Sequence, residues 1–193
     1  MGRHLTGNLD AGKHPIVLLC ALGESAGERR RRMTGFTISS ARFSRCGCYR
    51  YRLERQWDPL RQTVAFLMLN PSTADASSTD PTLRRCIAFA RSWGFGGLVV
   101  GNLFALRSSN PGRLYEEADP VGPENDRYLC EMSESCDRIV CGWGRHGAYL
   151  GRASDVCGML ATSKLYALKF TAGGHPSHPL YISGTAEPKK FQC

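Results

Sequence analysis

Leu67-Met68-Leu69-Asn70-Pro71-Ser72-Thr73-Ala74-Asp75 is the stretch that decides the fold. It closes an apolar run that begins at Val64 and continues through Ala65 and Phe66. Six uncharged, mostly bulky residues in a row suit a strand buried on both faces, as in a parallel sheet. Pro71 cannot donate to a ladder and steers Asn70 away from helix, so the strand stops there. Ser72, Thr73 and Asp75 then supply groups that close turns or cap helices. Ligands of open parallel sheets bind just past the carboxyl ends of strands. Asn70, Pro71 and Ser72 are therefore site candidates. An ordinary strand-to-loop turn accounts for the same residues equally well.

Downstream, strands and helices alternate. Asp80-Pro81-Thr82 opens a helix, with Asp80 as cap and Pro81 at the first position. Leu83, Ile87, Phe89, Ala90 and Trp93 give it an apolar face, and Gly94 ends it. Leu98 to Phe104 reads as a second buried strand, in which Asn102 is the lone polar side chain. A helix is expected over about Asn125–Ser135, a strand over Arg138–Trp143 and a helix over about Ala148–Leu160. A short strand, Leu165–Leu168, leads into a loop with His175-Pro176-Ser177-His178-Pro179. This alternation predicts an α/β domain of three layers, α/β/α, around a mostly parallel central sheet. The carboxyl ends of its strands would bring Asn70, Asn102 and His175 to one crevice.

Upstream, Tyr49, Tyr51 and Leu53 alternate with Arg50, Arg52 and Glu54. That is a period-two strand with an aromatic face and a charged face. It reads either as a surface that takes phosphates and stacks bases or as an amphipathic edge strand. Residues 1–44 lack sustained periodicity and are rich in Gly, Arg and Ser. They are expected to form a poorly ordered basic extension, with Met33 as a candidate start after the run Arg29–Arg32. Residues 45–185 are expected to form one domain and 186–193 a C-terminal tail.

The 193 residues suit a single core. The 42% hydrophobic and 22% charged fractions are those of a soluble globular protein. Near the start, Ile16–Leu22 is too short to span a bilayer, so no membrane association is expected. The formal charge of +8 favours acidic partners, of which nucleic acid is the commonest, although many basic proteins bind none. Nine cysteines, with no C-x-x-C pair, read as reduced thiols of a cytoplasmic protein. No motif calls for a metal or a cofactor, and nothing in the chain specifies an oligomeric state.

The stretch from Arg50 to Tyr181 resembles the bacterial and phage family known as domain of unknown function 1643. The resemblance rests on Arg50-Tyr51 with Trp57, Met68 to Asp75, Asp80-Pro81-Thr82, Asn102-Leu103-Phe104, Asp119 to Gly122, Trp143-Gly144 and His175 to Tyr181. The order of motifs is also distantly similar to the uracil-DNA glycosylase superfamily. That similarity implies a glycosylase-like fold and a base-directed hydrolase. It implies Asn70 and His175 as catalytic, orienting water and stabilising the departing base. Asn102, Pro71, Ser72, Ser177 and His178 would bind substrate, and Arg50, Arg52, Arg84 and Arg107 would hold nucleic acid. Met68 stands where that superfamily's first motif usually has Gly, and no aromatic follows the motif. Two further readings remain: a non-catalytic module that binds a modified base or nucleotide, and an enzyme of phage or defence metabolism acting on free nucleotides. Each residue also has a plain role open to it: Asn70 in a turn, Asn102 against loop backbone, and His175 and His178 on a surface loop.

Overall fold

The computed structural model describes residues 35–193. The Arg29–Arg32 run, Cys20 and the candidate start at Met33 lie outside the described residues. The apolar run becomes β3, Thr63–Met68, and the next becomes β4, Gly97–Asn102. The strand after the second helix is β5, Ile139–Gly142, and β6 is Leu165–Ala167. Upstream lie β1, Ile38–Phe43, and β2, Arg50–Gln56; at the C-terminal end lies β7, Lys189–Lys190. These seven strands form one sheet in the order β1-β2-β4-β3-β5-β6-β7.

The sheet is mixed. β4, β3, β5 and β6 run parallel, whereas β1–β2, β2–β4 and β6–β7 pair antiparallel. The expectation of a mostly parallel sheet is thus corrected: three of six pairings are antiparallel, all of them flanking the parallel centre. Three α-helices connect the parallel strands: α1, Pro81–Ser92; α2, Asn125–Ser135; and α3, Arg152–Met159. Alternate residues of β3 enter different apolar clusters. Val64, Phe66 and Met68 pack with Leu83, Cys86 and Phe89 of α1. Ala65, Leu67 and Leu69 pack with Leu129 and Met132 of α2 and Val156 of α3. β3 is therefore buried on both faces from Val64 onward, which is why only its first residue, the half-buried Thr63, is polar.

Several local expectations change. β1 lies inside the stretch expected to be poorly ordered. It is an edge strand with mostly exposed side chains, so it carries no apolar signature. The C-terminal stretch is not a tail, because β7 extends the sheet and Phe191 is buried against Trp143. The helix expected over 148–160 is broken. A 3-10 segment, Arg145–Gly151, precedes α3, and within it Leu150 adopts a left-handed φ of 54° that breaks the helical path. Cys157 and Cys193 form a disulfide, which corrects the expectation that every thiol is reduced. Among the described residues no helix is long and apolar enough to cross a membrane.

Candidate functional site

The connections place a crevice. From β3 the chain crosses through α1 to β4 on one side, and from β4 it returns through α2 to β5 on the other. The strand order thus reverses at β3 and β5, and the space beyond their carboxyl ends is left open. A cavity of about 730 Å³ lies there. Leu69 and Asn70 line it after β3, Trp143 and Gly144 after β5, and Lys169, Phe170 and Thr171 after β6. Ser177, His178 and Tyr181 close one wall. Phe170 and Tyr181 stand 40% and 83% exposed, so aromatic surface is displayed to solvent at this site.

A deeper cavity of about 190 Å³ shares Asn70, His178 and Tyr181 with the crevice. Its polar lining adds Arg50, Ser72, Asp80 and Thr82, and its apolar lining includes Leu53, Met68 and Val100. Asp80 has two positions to serve. Its Oδ1 accepts the Leu83 N–H at 2.7 Å and caps α1, while its carboxylate borders the cavity.

Asn70 is oriented by the neighbouring loop. Its Nδ2 donates to the Ser108 carbonyl at 2.8 Å and to that of Pro71 at 3.3 Å. The Ser108 N–H in turn donates to the Pro71 carbonyl at 2.9 Å. With the amide nitrogen committed to carbonyls, Oδ1 is the acceptor left to a ligand. His178 is set in a similar way. Its Nδ1 accepts the Leu180 N–H at 3.4 Å, which assigns the proton of the neutral ring to Nε2. Burial pushes the His178 pKa down, with Asp80 opposing the shift, so the neutral donor form prevails at neutral pH.

Arg50 is 4% exposed and does not form a basic surface. A register break between β1 and β2 leaves Tyr51 without a partner and interrupts the alternation. Arg50 consequently lines the same cavity as Leu53, three residues away. Its Nη1 donates to the Ala74 carbonyl at 2.7 Å, and its Nη2 reaches Asn102 Oδ1 at 3.5 Å. Burial brings its pKa down to about 10. Arg55 is buried beside it and donates to the carbonyls of Asp75 and Ser78. The two guanidiniums grip the Ala74–Ser78 loop through its backbone. In that loop, Ser77 and Ser78 donate to the Asp75 carboxylate and hold its pKa well below the ordinary value.

The expected convergence changes in membership. His175 sits in a turn in which Thr171 N–H donates to its carbonyl, and it lines neither cavity; His178 does. Asn102 is 1% exposed and lies beneath the site, not on its wall. Its Nδ2 and Arg50 Nε are buried without a protein partner among the described residues. Ser72 borders the deep cavity and Ser177 the crevice, while Pro71 is buried behind Asn70. Arg52 is spent on Glu54, with Nε to Oε1 at 2.9 Å. Tyr51 stacks on Tyr128 of α2 at 5.1 Å, so the aromatic face of β2 is covered. Arg84 and Arg107 remain exposed, donating to the carbonyls of Thr79 and Gly47.

A family model described as a protein of unknown function, DUF1643, matches residues 50–180. The chain belongs to this family. No curated protein and no solved structure matches it. The DUF1643 span includes Asn70, Asp80, Trp143, Lys169 and His178, so nearly the whole crevice falls within it; Tyr181 lies one residue beyond. Sequence reasoning missed Asp80, Trp143 and Tyr181 as site residues, although all three stand in the stretches on which the resemblance was argued. Lys169 carries no signal: it follows a strand of only three residues. Among the described residues no group of three His, Cys, Asp or Glu side chains is placed to hold a metal.

Proposed function

We propose that this DUF1643 protein binds a base of a nucleotide or nucleic acid in the crevice and hydrolyses its N-glycosidic bond, on a fold of the uracil-DNA glycosylase kind. The observation that carries the reading is the shared wall of the two cavities. There an acceptor, Asn70 Oδ1, and a neutral donor, His178 Nε2, stand beside exposed aromatic surface. Bases stack on aromatic rings whatever their identity, at about 1–3 kcal/mol each. The polar pair then reads or attacks what the aromatic surface holds.

Cleavage leaves negative charge on the departing base and positive charge on the sugar. The Nε2–H of His178 meets the former, a contact worth on the order of 3 kcal/mol in a preorganised site. His178 thus takes the role first expected of His175. Asn70 Oδ1 accepts a hydrogen bond from the attacking water and fixes its direction. An amide is too weak a base to remove the proton, so the barrier falls mainly through orientation and electrostatics. Asp80 offers negative charge to the sugar cation. A duplex target would have to be flipped out to reach the crevice. Lys169 on the crevice and Arg50 in the deep cavity are the cations that line the site; Arg84 and Arg107 line neither cavity and would meet phosphates only farther along a nucleic acid.

The test is incubation of the full chain with DNA carrying uracil or modified pyrimidines, and with free nucleotides, followed by assay of abasic sites and released base. Release that is lost in Asn70→Ala and in His178→Ala supports hydrolysis. Base release that survives both substitutions removes these residues from the chemistry. A second reading, a binding module without turnover, is favoured by Asp80: one of its oxygens is already committed to capping α1. Binding without release, weakened by the same substitutions, would select that reading.

A further inference from the structure

Six free cysteines lie among the described residues, and two of them differ from the rest. Cys86, Cys136 and Cys141 are buried, and burial pushes their thiols up and leaves them unreactive. Cys46 and Cys48 are exposed, one residue apart, in the loop between β1 and β2. The loop is a closed turn. Ser44 N–H donates to the Tyr49 carbonyl at 3.1 Å, and Gly47 N–H donates to the Ser44 carbonyl at 3.0 Å. Gly47 takes a φ of 74°, which favours glycine and lets the chain double back between the two thiols.

We propose that Cys46 and Cys48 are a dithiol–disulfide exchange site, in which Cys46 attacks a low-molecular-weight disulfide such as oxidised glutathione and Cys48 resolves the product. Cys46 Sγ lies 3.2 Å from Ser44 Oγ, whose hydroxyl donates to the thiolate. That contact, followed by one from Cys48, lowers the Cys46 pKa, while the Cys46 sulfur raises that of Cys48. One sulfur is thus the better nucleophile, and its neighbour keeps its proton until it is needed. Both thiols line one groove of about 560 Å³, open enough for a small disulfide to approach. The absence of a third metal-ligating side chain beside them, among the described residues, favours exchange over a cation site.

The step balances. The Cys46 thiolate forms a bond to one sulfur of the small disulfide, whose own S–S bond breaks and releases one thiolate. Cys48 gives its proton to solvent and attacks the Cys46 sulfur, forming the Cys46–Cys48 bond and releasing the second thiolate. Both released thiolates take protons from solvent. Two cysteine sulfurs are oxidised and one small disulfide is reduced to two thiols.

The loop is wired to the crevice. Arg107 N–H donates to the Cys48 carbonyl at 2.9 Å, and Arg107 Nη1 donates to the Gly47 carbonyl at 2.9 Å. The next residue, Ser108, holds the amide of Asn70. Closing the dithiol tightens a turn two hydrogen-bonded steps from a site residue.

The test equilibrates the reduced full chain with graded ratios of reduced to oxidised glutathione, quenches with an alkylating agent and digests with trypsin. Cleavage after Arg45 and Arg50 yields one peptide, residues 46–50, that carries both thiols. The expected result is that this peptide loses two hydrogens, and that the more buried Cys86 and Cys141 stay alkylatable only after unfolding. Cys48→Ser should trap one glutathionyl group on Cys46, whereas Cys46→Ser should react at least ten-fold more slowly at Cys48. The proposal is overturned if residues 46–50 acquire no internal disulfide at any ratio. It is equally overturned if the two single variants are modified at the same rate.

Discussion

Asn70 gives its side-chain N–H to the carbonyl oxygen of Ser108 at 2.8 Å, across the gap between the loops that follow β3 and β4. That bond decides which end of the amide a ligand meets. Asn70→Asp replaces the donor with a second acceptor and sets a carboxylate against a carbonyl. The expected outcome is loss of base release or base binding by ten-fold or more in both Asn70→Asp and Asn70→Ala. Stability should fall by only about 1 kcal/mol in the alanine variant, the net worth of one hydrogen bond. Urea denaturation beside the base-release assay separates the two effects.

Arg55 supports the same region from below. It satisfies the carbonyls of Asp75 and Ser78 from a buried position. Arg55→Met keeps the apolar volume but strands those carbonyls, and should cost about 2–4 kcal/mol. Arg55→Lys should recover less than half, because a single ammonium on a flexible stem does not reproduce the planar fork. Chemical denaturation measures both. Recovery of full stability by lysine would mean that charge alone, not the fork, holds the loop.

His178 predicts a pH dependence. Burial holds its pKa below the ordinary value of 6.5. Above pH 6.5 the ring is neutral in both folded and unfolded chains, and its contribution to stability is complete. As pH falls below 6.5 the unfolded chain takes the proton first, and that contribution drains away until pH passes the lower folded value. Below that value the Leu180 N–H also loses its acceptor. His178→Gln should flatten this acid limb of the stability curve, as followed by thermal melting between pH 4 and 8 in wild type and variant. An unchanged limb would place the titration elsewhere.

Gly142, the last residue of β5, tests the coupling of sheet to crevice. A Cβ there would lie 2.7 Å from Pro179 Cδ, next to His178. Gly142→Ala should therefore push the 178–181 turn outward, cost roughly 1–3 kcal/mol, and lower ligand affinity more than it lowers activity at saturation. Titration of the nucleotide ligand against the variant reads this directly.

The parallel centre was legible because its signals are local. β3 is a bare apolar run ended by a proline, and α1 carries its cap, its first-turn proline and its terminal glycine within fifteen residues. The edges were not legible. β1 exposes most of its side chains and β7 is two lysines, so neither shows a buried face, and only pairing with a distant partner makes either a strand. Arg50 read as surface because charged residues seldom enter cores without partners; its partners, the Ala74 carbonyl and the Asn102 side chain, lie 24 and 52 residues away. The choice between His175 and His178 turned on one bend. The bridge between Phe170 and Pro176 folds His175 back into its own turn, and His178 emerges on the crevice side. The disulfide joins residues 36 apart that share no recognisable spacing.

The Cys157–Cys193 bond ties the last residue to α3. Closing a loop of that length removes unfolded-state freedom worth roughly 3–4 kcal/mol in the chain-entropy account. Cys193→Ser should lower the denaturation midpoint by a corresponding amount in the absence of reductant. Added reductant should bring wild type down to the variant.

The arginines of β2 hold the Ala74–Ser78 loop by its carbonyl oxygens. Every residue type carries that same oxygen. That grip asks nothing of the exposed side chain at Ala76, which lies outside the Asp75–Ser77–Ser78 hydrogen bonds, so this position is free to vary while the loop keeps its shape. A scaffold of this kind separates what fixes its shape from what meets solvent: the tip of the loop can drift in sequence while Ala74, the loop residue that lines the deep cavity, stays where Arg50 holds it.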